Sequence, residues 1–92
     1  MSPRQGFSAD EARQLGEQIG IDWDKAPFAV EQLRRGMDVE LEHGLQDLLT
    51  NVTDDDPLVT GRIALAHLNE FPDYYTRLAL MEEQAKRDEH AV

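Results

Sequence analysis

The stretch FAVEQLRRGMDVELEHG, residues 28–44, sets the fold class. Val30, Leu33, Met37 and Leu41 recur in it at spacings of three and four, the period of one face of an α-helix. Leu45 and Leu48 extend the same stripe, which leaves two candidate ends. Either Gly44 stops the helix after ELEHG, or the helix runs on through LQDLL to Leu49. On both readings the stripe is too apolar to face water, so other helices have to cover it.

Toward the N-terminus, Ser8 and Glu11 form an S-x-x-E capping box, with Phe7 and Ala12 placed as its hydrophobic staple. A first helix over about residues 9–19 follows, with Ala12, Leu15 and Ile19 on its apolar side and Gly20 as its stop. Ile21 and Trp23 are expected on the core, and Pro27 in the first turn of the next helix. Toward the C-terminus, TNVTDDDP reads as a loop ending in Asp56 as N-cap and Pro57 at the first helical position. LVTGRIALAHLNE is a third helix, broken at Phe71-Pro72 because proline lacks an amide donor and restricts the residue before it. A fourth helix from Pro72 or Asp73 to about Arg87 is expected to bury Tyr74, Leu78, Met81 and Ala85, with Tyr75 partly exposed. No segment alternates with period two. The expectation is an all-α bundle of three to four short helices, organised as a tail over residues 1–7, a single helical domain over 8–87 and a frayed end over 88–92.

Composition bounds the function. The chain has 92 residues and no cysteine, and nine Lys+Arg against nineteen Asp+Glu give a formal charge of -10. A domain of this length buries about 60–65% of its unfolded surface, which leaves little room for an enclosed substrate cavity. The lack of cysteine removes disulfides, thiolate zinc sites and cysteine nucleophiles. MSPRQGFSADEARQLG contains no apolar leader, and no run approaches the roughly 18 apolar residues of a membrane span, so a cytoplasmic protein is expected. The acid is concentrated: between Arg35 and Arg62 there is no Lys or Arg, while Asp38, Glu40, Glu42, Asp47, Asp54, Asp55 and Asp56 all fall there. Such a surface repels nucleic acid and anionic lipid, so direct binding to either is disfavoured and another protein is the expected partner, with monomer or homodimer left open.

The stretches FAVEQLRRGMDVELEHG, TNVTDDDPLVTGRIALAHL and NEFPDYYTRLALMEE resemble a small, widespread bacterial and phage family catalogued as a domain of unknown function, over roughly residues 12–83. The resemblance implies a helical domain and draws attention to ELEHG, TNVT, DDP, IALAHLNE and PDYYTRL; it implies no activity. Ala29 departs from the family's pattern, which often has a capping residue such as Asp there.

The residues with chemistry in them are Glu40 and His43 in ELEHG, and His67 and Glu70 in AHLNE. Each pair is spaced i, i+3 and shares one helix face. Both pairs border the apolar stripe, so two imidazoles and two carboxylates could meet between helices and bind Zn²⁺, Mn²⁺ or Fe²⁺. Register limits this. With antiparallel helices and a stop at Gly44, His43 and His67 lie about 13 Å apart along the axis at 1.5 Å per residue. With a helix running to Leu49, Glu40 comes level with His67, which makes Glu40 and His67 the strongest pair. The plainer reading is a carboxylate hydrogen-bonded to an imidazole, fixing helix register without metal. A half-ferritin site from Glu40, His43 and Glu70 is disfavoured by the short helices and the Phe71-Pro72 break. The DDD run lacks the alternating ligands and glycine of an EF-hand, and the NVT sequon carries no weight in a cytoplasmic chain. Two functions remain: a small metal-binding domain, or a non-enzymatic protein-interaction module, including the variant in which its acids mimic nucleic acid.

Overall fold

The structure, a computed structural model, describes residues 4–90. Four α-helices follow one another: α1 (Ala9–Gln18), α2 (Val30–Glu40), α3 (Pro57–Glu70) and α4 (Tyr74–His90), with a 3-10 turn, Leu41–His43, continuing α2 directly. No strand occurs among the described residues, and the chain is an all-α bundle. Among the described residues no helix is long and apolar enough to cross a membrane.

Local chemistry sets most helix ends. Ser8 Oγ accepts from Glu11 N at 3.1 Å while Glu11 Oε1 accepts from Ser8 N at 2.9 Å, completing the capping box. Gly20, at φ +97°, takes the chain out of α1 through a conformation that a side chain would strain. Asp56 accepts from Leu58 N at 2.8 Å and Val59 N at 3.2 Å, with Pro57 opening α3. Phe71, forced out of helical geometry before Pro72, ends α3 at φ -140°, ψ 120°. α2 starts after Ala29 with no side-chain cap, so its start depends on packing.

The open question at the end of α2 resolves at Gly44. The helix tightens over Leu41–His43 and stops, because the His43 carbonyl is claimed from the far side of the loop: it accepts from Val52 N at 2.6 Å and Thr53 N at 3.2 Å. Leu45 and Leu48 therefore leave the stripe, and Leu48 is exposed.

The core consists of Phe7, Ala12, Leu15, Phe28, Leu33, Met37, Leu41, Ala64, Leu68 and Tyr75, with Ile21 and Trp23 packed against it. α2 lies between α1 and α3, and α4 docks only through its first turns. Of the segment read as a tail over residues 1–7, residues 1–3 lie outside the described residues, but Arg4–Phe7 are held: Phe7 is buried, Phe7 N donates to Asp38 Oδ1 at 2.9 Å and Arg4 N to Asp55 Oδ2 at 2.8 Å. Met81 and Ala85, expected in the core, are exposed, because the bundle ends beneath the first turns of α4. The helix itself runs to His90, and of the end expected to fray over 88–92, residues 91 and 92 lie outside the described residues.

Candidate functional site

Three helix ends converge on one buried carboxylate. Glu40, on the last turn of α2, is 4% exposed, and among the described residues no Lys or Arg pairs with it. Its partners come from the other two helices. Tyr75, on the first turn of α4 and 2% exposed, donates its hydroxyl to Glu40 Oε1 at 2.8 Å. His67, on the last turn of α3, places Nδ1 2.9 Å from the same oxygen and 3.0 Å from the Tyr75 hydroxyl. Proton accounting fixes the tautomer. The single phenol proton goes to the carboxylate, so an Nδ1 within reach of both oxygens has only acceptors before it and must carry its own proton. In a neutral ring the lone pair then sits on Nε2.

Aromatic packing holds the imidazole in place. Tyr74 stacks on His67 with ring centroids 4.5 Å apart and planes 6° from parallel, while Tyr75 meets both rings edge-on at 6.0 and 5.0 Å. Gly36 admits this arrangement: a Cβ there would sit 2.9 Å from Tyr75 Cζ, well inside contact distance. His43 stands at the rim, its side chain 48% exposed, with Nε2 3.9 Å from Glu40 Oε2 and 3.4 Å from Glu42 Oε1.

The structure therefore brings Glu40 and His67 into contact, with His43 flanking, and leaves Glu70 exposed and apart. Among the described residues no group of three or more His, Asp or Glu is disposed to hold a metal ion. The Glu40–His67 contact forms even though α2 stops at Gly44, because the long loop over residues 44–56 lets α3 shift along α2. Sequence reasoning missed the third member. Adjacent tyrosines leave a helix about 100° apart, so one of the two had to face inward; it is Tyr75, with Tyr74 half-buried over His67, the reverse of the expectation.

Burial, then the bond to Glu40 and its negative charge, push the Tyr75 phenol well above its ordinary value near 10. The folded state thus holds this proton more tightly than the unfolded state. Stability from this group is complete below pH 10 and is lost as pH rises beyond it, at up to about 1.4 kcal/mol per pH unit. Urea unfolding between pH 9 and 11 should show that slope, and Tyr75→Phe should flatten it.

The loop that follows is built around aspartates. Asp55 Oδ1 accepts from Leu45 N at 2.8 Å, its Oδ2 holds Arg4 N, and its own N–H donates to the Thr53 hydroxyl at 3.1 Å. Asn51 and Asp54 bond reciprocally at 2.6 and 2.8 Å. Asp54 and Asp55 take left-handed φ angles of 52° and 59°, which Asp tolerates better than most residues. The base of the loop is pinned on both sides, yet its outer part carries Leu48, Leu49 and Val52 at 78%, 97% and 75% exposure.

Chemically, the trio orients an imidazole as a carboxylate–histidine relay does. However, its phenol proton points at the carboxylate, and no hydroxyl among the described residues is bonded to Nε2. Fold and site thus define a small helical domain organised around a buried Glu–Tyr–His hydrogen-bonded triangle. The chain belongs to the DUF5661 family of proteins of unknown function, whose model matches residues 12–84. No curated protein and no solved structure matches it.

Proposed function

We propose that this domain is a non-enzymatic protein-interaction module, in which the Glu40–Tyr75–His67 triangle locks the helices together and the loop over residues 44–56 presents the contact. The observation that carries this reading is the loop: three large apolar side chains stand in water on a backbone tied down at its base, the form of a preorganised recognition element. Glu42, Asp47 and Asp54, near them in the sequence, are also exposed, and residues 36–61 carry no Lys or Arg. The matching partner is a protein with an apolar recess and a basic rim. The nucleic-acid mimic loses support, because Asp38, Glu40 and Asp55 serve as internal acceptors and do not form an outward row.

A photo-crosslinker at position 49 in cells, with position 17 as control, should trap one protein; the purified pair should bind more weakly as salt rises. Leu49→Asp should abolish that binding at unchanged melting temperature, since Leu49 is 97% exposed. Equal labelling from positions 49 and 17, or binding indifferent to Leu49→Asp, would contradict the reading.

One observation favours a second reading. A carboxylate that holds Nδ1–H leaves a lone pair on His67 Nε2, the tautomer metal-bound imidazoles use, with His43 Nε2 nearer the other carboxylate oxygen, at 3.9 Å from Glu40 Oε2. Stoichiometric zinc, manganese or iron in untagged protein, lost on His67→Ala, would support it.

A further inference from the structure

Beyond the loop, and independently of it, we infer that α4 pairs with α4 of a second copy of this chain, antiparallel, along Tyr74, Leu78, Met81 and Ala85. Those positions are spaced four, three and four apart, the pattern of a seam that accepts another helix. Phe71, Tyr74, Leu78 and Met81 line one continuous shallow depression of about 250 Å³ with Arg77 at its edge. Past Leu78 the bundle gives α4 no cover: Leu80 and Met81 are 61% and 56% exposed, and every described side chain after them faces water.

Three further quantities point to a second copy as the occupant. The chain exposes 6266 Å², against about 5,400 Å² for a folded monomer of its mass. The Cα radius of gyration, 14.1 Å, exceeds the roughly 12 Å of a globule of this length. Charge is the third. α4 carries Arg77, Lys86 and Arg87 against Glu82, Glu83, Asp88 and Glu89, a net of -1, so the other -9 of the chain's -10 lies elsewhere. Two copies of so acidic a chain repel least along α4, and antiparallel pairing keeps the two acidic bundles at opposite ends. Centred between Leu78 and Met81, that pairing sets Leu78 on the second copy's Met81 and Tyr74 on its Ala85, with Arg77 beside Gln84 on the flank, so no like charges oppose each other.

Sedimentation equilibrium of the full chain from 1 to 500 µM should reach twice the 10.5 kDa chain mass. Met81→Asp should weaken the dimer at least tenfold while the circular dichroism and melting of the dilute monomer stay unchanged. Leu80→Asp, off the seam, and Leu49→Asp, on the loop, should leave it intact. A parent chain monomeric at 500 µM, or a folded Met81→Asp variant that still dimerises as the parent does, would overturn the pairing.

Discussion

Glu40→Ala should lower stability by about 2–4 kcal/mol, the largest effect expected of any polar substitution in this chain. The carboxylate is the common acceptor of the Tyr75 hydroxyl and of His67 Nδ1–H. Its removal takes the shared acceptor from two donors, one of them a phenol at 2% exposure, and leaves them only each other, at about 1–3 kcal/mol, and opens a void at the junction of three helix ends. For a domain of this size that is a fall in melting temperature of roughly 15 °C. Glu40→Gln keeps the volume and one acceptor oxygen, so its cost should be nearer 1 kcal/mol. The comparison separates a lost acceptor from a lost charge. If Glu40→Ala melted with the parent, no structural role for the triangle could stand.

The second large effect belongs to a residue with no side chain. Gly36→Ala adds a methyl that raises intrinsic helix stability by up to about 1 kcal/mol, and in an exposed helix that gain would win. Here the methyl enters the ring of Tyr75, at 2.8 Å from Cδ2 and 2.9 Å from Cζ. The ring cannot move without drawing its hydroxyl off Glu40. Overpacking of this kind costs about 1–3 kcal/mol, and the broken bond about 1 kcal/mol more. The net expectation is a loss of about 1–3 kcal/mol by urea unfolding, with retained helical content and a weakened α4 contact. A stabilised Gly36→Ala variant would mean that α4 does not dock against α2 as described.

Particular residues explain which parts of this structure were legible from sequence. The stripe Val30, Leu33, Met37 and Leu41 announced α2, the Ser8–Glu11 box announced α1, and Asp56-Pro57 announced α3, because helix period and capping are local properties. The end of α2 was not local. Leu45 and Leu48 keep the stripe's spacing, and only the bonds from Val52 and Thr53 back to the His43 carbonyl pull the chain out of the helix. The same holds for α4, where Met81 and Ala85 have core spacing but no bundle beneath them. Spacing states that a face is apolar; it does not state what covers it. At the site, the Glu40–His67 pair was readable because both border apolar stripes. Tyr75 was not, since choosing between adjacent tyrosines requires the azimuth of α4, which is set by the turn at Phe71-Pro72 and by the space at Gly36. Glu70 has the right spacing from His67, yet the α3–α4 turn leaves it in water.

The placement of α4, on which the helix pairing depends, rests on one arrangement: a triangle of three mutually bonded side chains that holds α4 to α2 and α3. A double-mutant cycle on Glu40→Ala and Tyr75→Phe, measured by urea unfolding at neutral pH, tests that most directly. Direct bonding at 2.8 Å predicts a coupling of about 1–2 kcal/mol, the double variant being less destabilised than the sum of the two singles. Additivity within about 0.3 kcal/mol would mean that the two side chains do not depend on each other, and would contradict the account.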